Sequence, residues 1–321
     1  MTLLEIESLH VRFRTREGAL DAVRGVDLAV DAGECVAIVG ESGSGKSQTL
    51  LAATGMLAAN GIASGRVAFE GEELLACPER QARVRGPGIG YVFQDAAGSL
   101  TPHLTVGTQL AEALAVHRGT GRRAALAEAA RMLERVHVPD PGARLAQYPH
   151  ELSGGTRQRV AIAAALMAQP RLLMADEPTT ALDVTVQAQV VALFRELRES
   201  LGMSLVLVTH DLGVVAGLAD RVIVMYAGRI VEEGPVRPLF AAPRHPYTAG
   251  LLAALPRLDD DPAAPMRTIP GVPAQREDGG CAFRGRCARA RSRCESRPVL
   301  ATWGHGRVAC HFPAGGEGRA R

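Results

Sequence analysis

A chain of 321 residues with 47% hydrophobic content is long enough to bury one large core or two modest ones. Aromatic residues make up only 4%, so aliphatic side chains must fill that core, as in an ordinary α/β protein. The formal net charge of +2 excludes the strong basic excess of a dedicated nucleic-acid binder.

The N-terminal MTLLEIESLHVRF alternates like a strand and has neither the basic nor the apolar region of a signal peptide, which points to a cytoplasmic protein. Strand character returns in VDLAVDAGECVAIV, after REGALDAVRG, which carries turn signals. GESGSGKS, residues 40–47, follows at once, and QTLLAATGMLAAN behind it is apolar at helical spacing. From about 105 to 150 the chain reads as helical and ends among Pro139, Pro141 and Pro149. This predicts a helical subdomain, about 95–160, inserted between strands. RLLMADE and SLVLVTHD then read as strands with VQAQVVALFRELRESLG as the helix between them, the alternation of a parallel sheet. RVIVMYAGRIVEEG adds a short strand pair and closes a domain of residues 1–240.

Beyond it the composition shifts, and residues 241–321 read as an extension with CAFRGRCARARSRCESRP at its centre. The final PAGGEGRAR has almost nothing to bury and is expected to be disordered. The longest apolar stretches, such as VAIAAALMA, are about half of the roughly 18 residues a membrane span requires. A membrane role must be exercised through a partner.

GESGSGKS fits G-x-x-x-x-G-K-[ST]. Gly40, Gly43 and Gly45 let the backbone curl so that successive N–H groups face a phosphate, and Ser42, Ser44 and Gln48 complete the cradle. Lys46 would bridge the β- and γ-phosphates of a nucleotide, and Ser47 would set its hydroxyl on Mg²⁺ at the helix start. The metal needs a carboxylate at a neighbouring strand end, and LLMADE supplies it: Asp176 for Mg²⁺ through water, and Glu177 to polarise the water that attacks the γ-phosphate.

Three further stretches, ELSGGTRQRV at 151–160, YVFQD at 91–95 and VTHD at 208–211, join GESGSGKS and MADEPTTALD in order. With these five motifs, residues 1 to about 240 resemble the ATP-binding subunits of ABC transporters. The resemblance implies the P-loop ABC ATPase fold with an antiparallel β subdomain, and it implies roles. Phe13 lies where the family stacks an aromatic ring on adenine, although a half-buried strand residue reads the same way. Gln94 would touch Mg²⁺ and the attacking water. Ser153, Gly154 and Gly155 would cap ATP bound to the opposite subunit, Asp183 would join the two sites across a dimer, and His210 would contact the γ-phosphate. Thr156 departs from the common glutamine of LSGGQ, keeping a hydroxyl but losing the amide, and activity is expected to survive because the serine and the glycine backbone make the phosphate contacts.

RHPYTAGLLAALP, IPGVP and the cysteine segment are similar to the extension of the oligopeptide, dipeptide and nickel import branch, although Ala96 and Thr101 depart from that branch's QDP-x-x-SLNP. This implies an ATPase on the cytoplasmic face of the inner membrane, bound peripherally to two transmembrane permease subunits and paired with a second, identical or different, ATPase subunit. An extracytoplasmic binding protein would take part indirectly, and nucleic acid is not an expected partner. The alternative is a soluble ABC ATPase acting on nucleic acid or ribosomes, but those proteins usually carry two fused cassettes or a coiled-coil insertion, and this chain has neither.

Cys281, Cys287, Cys294 and Cys310 are separated by five, six and fifteen residues, with no C-x-x-C. A zinc ribbon fits this poorly, and a [4Fe–4S] cluster and free thiols both stay open. Cys35 and Cys77 read as ordinary core or loop residues.

Overall fold

A computed structural model describes residues 1–180, 182–255, 268–272 and 279–315. The chain opens with the hairpin β1 (Thr2–Thr15) and β2 (Gly18–Asp31), followed by β3 (Cys35–Val39) and helix α1 (Lys46–Thr54). Next come β4 (Gly61–Phe69), β5 (Glu72–Glu73), α2 (Pro78–Val84) and β6 (Ile89–Val92). The helical insertion consists of α3 (Ala96–Ser99), α4 (Val106–Arg118), α5 (Arg122–Arg135), α6 (Pro141–Leu145) and α7 (Gly154–Leu166). The chain returns through β7 (Leu172–Asp176), α8 (Val184–Leu201), β8 (Ser204–Val208), α9 (Leu212–Leu218), β9 (Arg221–Tyr226) and β10 (Arg229–Pro235). Helices α10 (Val236–Ala241) and α11 (Pro246–Ala253) and the short strands β11 (Ala301–Trp303) and β12 (Gly306–Val308) complete it.

Two sheets result. One is antiparallel in the order β2-β1-β4-β5, and the other runs β11-β12-β10-β9-β3-β8-β7-β6. Within the larger sheet β6, β7, β8, β3 and β9 are parallel neighbours, and β3, β7 and β8 are buried along their whole length, which is why they read as unbroken apolar runs. Helix α1 contributes Leu50, Ala52 and Ala53 to the apolar layer between the two sheets, while α4, α5, α7 and α8 build a second core on the other face of β7 and β8. No helix among the described residues is long and apolar enough to cross a membrane.

Three departures from the sequence reading have local causes. REGALDAVRG is mostly strand, because β1 and β2 stay paired as far as Thr15↔Gly18, and the exposed outer half of β2 shows no apolar alternation to reveal it. Helix α1 stops at Thr54, where Gly55 takes φ +67° and caps the last turn, although apolar residues continue beyond it. β4 and β6 escaped notice, the first because GIASG is small and polar-faced and is held as a strand by pairing with β1.

The described residues after 241 do not leave the fold. β12 pairs with β10 at Glu232↔Val308, so the larger sheet gains two strands from the cysteine-bearing extension. Tyr247 and Phe283 share one apolar cluster with Ala37 and Val39 of β3. The last six residues of the tail expected to be disordered lie outside the described residues.

Candidate active site

The loop between β3 and α1 is held by close packing. Gly40 has φ +151° and Gly45 φ +99°, and a Cβ on either would come within 2.2 Å and 2.4 Å of the carbonyl oxygens of Met225 and Ala22. Only glycine fits there. The Lys46 ammonium, almost fully buried, donates to the Gly40 carbonyl at 2.8 Å and the Glu41 carbonyl at 3.1 Å. Burial lowers its pKa, opposed by the charges of Glu177, Asp176 and Glu41. The buried Ser44 hydroxyl has no hydrogen-bond partner, an orphaned polar atom inside an anion-shaped loop.

Asp176 ends β7 beside the loop. The Ser47 hydroxyl donates to its Oδ1 at 2.9 Å, and the Tyr91 hydroxyl to its Oδ2 at 3.2 Å. Burial raises the Asp176 pKa, with both hydrogen bonds opposing the rise. A divalent cation on the Ser47–Asp176 oxygens would favour the ionised carboxylate, and a hydroxyl with a carboxylate is a donor set that suits Mg²⁺.

Glu177 follows with φ +46°, in the left-handed region that a side chain rarely adopts, and its N–H donates to the Val208 carbonyl at 2.8 Å. One oxygen, Oε2, collects three neighbours: Gln94 Nε2 donates at 3.1 Å, Thr180 Oγ1 donates at 2.9 Å, and His210 Nδ1 stands 3.4 Å away. The Glu177 side chain is 16% exposed and that of His210 65%, so an inner carboxylate is screened by an outer imidazole.

Ser153 caps α7. Its hydroxyl accepts from the Thr156 N–H at 3.3 Å and lies 2.9 Å from the Thr156 hydroxyl, so the unusual signature residue binds the serine directly. Ser153 and Gly154 are exposed at this helix end. Asp183 caps α8, accepting from the Val186 N–H at 2.9 Å, and is exposed. Phe13 is half-buried on β1, with its ring against Gly61 and the core between the sheets.

A family model described as ABC transporter matches residues 23–180, and one described as oligopeptide/dipeptide transporter, C-terminal region, matches residues 231–294. The oligopeptide transport ATP-binding protein OppD of Salmonella typhimurium is 49% identical over 97% of this chain and 94% of its own length. The chain belongs to the ABC transporter family. The dipeptide transport ATP-binding protein DppD of Bacillus subtilis is 48% identical over 89% of this chain and 86% of its own. Among solved structures, the ATP-binding cassette MJ0796, a dimer in a post-hydrolysis state with ADP and Pi, has a TM-score of 0.65 at 29% identity, covering 73% of this chain and 99% of that one. The fold is that of the ABC ATPase, and the chemistry is that of ATP with Mg²⁺.

Within the cassette the structure brings together residues far apart in sequence, Ser47 with Asp176, and Gln94 and His210 with Glu177. Sequence reasoning missed Tyr91 and Thr180. Tyr91 sits three residues before Gln94 on β6, and Thr180 lies three after Glu177, where the turn brings its hydroxyl back onto the carboxylate.

The four cysteines of the extension line one small pocket with His245, which complete burial keeps neutral by pushing its pKa down to about 3. Burial also raises the thiols of Cys281 and Cys310, the latter to about 11. Among the described residues no three His, Cys, Asp or Glu side chains converge on a single metal-ion position.

Proposed function

We propose that this chain is the ATP-hydrolysing subunit of an importer of oligopeptides, dipeptides or a related solute, working from the cytoplasmic face of the inner membrane with two permease subunits and a second ATPase subunit. The observation that carries the reading is the convergence of Gln94, Thr180 and His210 on Oε2 of Glu177, next to a buried lysine in a phosphate-shaped loop. Mg²⁺, when bound, offsets charge on the β- and γ-phosphates.

In this reading the loop N–H groups and Lys46 bind the phosphates, Ser47 and Asp176 hold the metal, and Phe13 stacks on adenine. Glu177 accepts the proton of the attacking water, which Gln94 orients, while His210 follows the γ-phosphate. A water held by Glu177 and Gln94 is polarised without either group moving, because Thr180 already fixes the carboxylate. Ser153 and Gly154 stand exposed and Gly155 half-buried at a helix N-terminus, a surface suited to capping ATP on an opposing cassette, and Asp183 lies exposed at the start of α8. Two sandwiched ATP molecules would close the dimer and hydrolysis would reopen it, coupling chemistry to transport.

The test is a tagged pull-down from gently solubilised membranes with mass spectrometry of every co-purifying chain. Two multispanning subunits and a second ATPase are expected; ribosomal or DNA-associated proteins in their place would overturn the transport reading.

We also propose that the four clustered thiols hold a [4Fe–4S] cluster. Four cysteines around one pocket supply the thiolate donor set that such a cluster takes. Anaerobically purified protein should be brown, with about four iron and four sulfide per chain. Colourless, iron-free protein with titratable thiols would leave these residues as free cysteines.

A further inference from the structure

The phosphate loop contains a carboxylate, Glu41, where an anion must bind. All of its polar groups are engaged, and two of the partners come from the C-terminal extension. Its N–H donates to the Tyr247 hydroxyl at 2.8 Å. Its carboxylate receives a two-pronged guanidinium contact from Arg286, with NH1 at 2.7 Å from Oε2 and NH2 at 3.0 Å from Oε1. Its carbonyl is left to Lys46 and to the Ser44 N–H.

Arg286 is itself tightly held. Its Nε donates to the Pro270 carbonyl at 2.8 Å, and its guanidinium lies 5.8 Å and 5.9 Å from the ring centres of Tyr226 and Phe283. Those two rings pack with Tyr247 at 4.7–5.4 Å between centres, so the guanidinium and the tyrosine hydroxyl are presented from one aromatic unit. Only 6% of the Arg286 side chain is exposed, against 26% for Glu41.

We propose that Arg286 is a positioning residue for the nucleotide loop: it neutralises Glu41 and keeps that carboxylate from competing with the phosphates for Lys46. The idea rests on the nucleotide-site reading above. The carboxylate already acts electrostatically on the Lys46 ammonium. Without Arg286 the carboxylate would act unopposed by that guanidinium on the Lys46 ammonium, and the phosphates would face an uncompensated negative charge. The extension thus sets the anion affinity of a loop 245 residues away in sequence. The coupling must run both ways, so nucleotide in the loop should steady the segment carrying Arg286.

The experiment uses the full chain, with Mg²⁺ and a fluorescent mant-ATP for Kd and ATP hydrolysis for KM and kcat. Arg286→Gln should raise Kd and KM about tenfold with kcat within about twofold, because the contact acts equally on bound ATP and on the transition state. Adding Glu41→Gln should restore most of the affinity, since it removes the competing charge; damage to the fold alone would lower kcat and would not be rescued by a second substitution. Wild-type affinity in Arg286→Gln, or a double variant no better than the single one, would overturn the proposal. Should Arg286→Gln fail to fold, hydrogen exchange of the wild-type segment 280–296 decides: slower exchange with Mg²⁺ and mant-ATP supports the coupling, and unchanged exchange overturns it. Wild-type protein that binds no mant-ATP would instead sink the nucleotide-site reading itself.

Discussion

Glu177→Gln is expected to cut ATP hydrolysis by about 10²- to 10⁴-fold while leaving Mg·ATP bound. The amide keeps the shape of the carboxylate and can still accept from Gln94 and Thr180 through its oxygen, so the surroundings have no reason to rearrange. What is lost is the negative charge and the proton acceptor. The left-handed backbone at residue 177 supports the same division between position and chemistry: the strain is met by the N–H bond to Val208 and is unaffected by the side-chain change. Steady-state phosphate release combined with gel filtration in Mg·ATP checks both halves, with an ATP-loaded dimer as the expected species. Full ATPase activity in this variant would remove Glu177 from the role of base.

Lys46→Ala should act one step earlier, on binding. The ammonium is buried and makes two short contacts with loop carbonyls, so it is pre-placed and loses little freedom when phosphates arrive. Removing a desolvated cation from a charged contact costs about 3–4 kcal/mol, which corresponds to a Kd raised by a factor of ~10² to 10³. Calorimetric titration with Mg·ATP reads the loss, and an unshifted thermal midpoint without nucleotide would show that the loop variant is folded. Burial lowers the Lys46 pKa, so the alanine variant is not expected to be less stable than the parent for want of that charge. Affinity within about threefold of the parent would mean that the phosphates lie elsewhere.

The two expectations differ in how far each was visible in the chain. Lys46 stands in a contiguous motif whose glycines are required by local geometry, and two of them are fixed by backbone atoms at Met225 and Ala22. Glu177 was marked by its place after an apolar strand. Its environment is marked in part, since the family resemblance sets Gln94, 83 residues away, at the same attacking water and His210 at the γ-phosphate, while Thr180 carries no motif role. The cysteine segment was visible as composition, but nothing in its spacing indicated that the residue before Cys287 would grip the phosphate loop.

The amino-acid sequence by itself determined the buried parallel strands β3, β7 and β8 and the glycine loop, because each depends on contiguous residues whose pattern follows from backbone sterics and from burial, and its five motifs carried the family resemblance. Tertiary structure alone decided that β12 extends the sheet from its edge, that Thr156 ties down the Ser153 hydroxyl, and that Arg286 closes on Glu41. Strand pairing, hydroxyl orientation and a charged contact across 245 residues depend on which surfaces meet once the cores are packed, and periodicity carries no record of that.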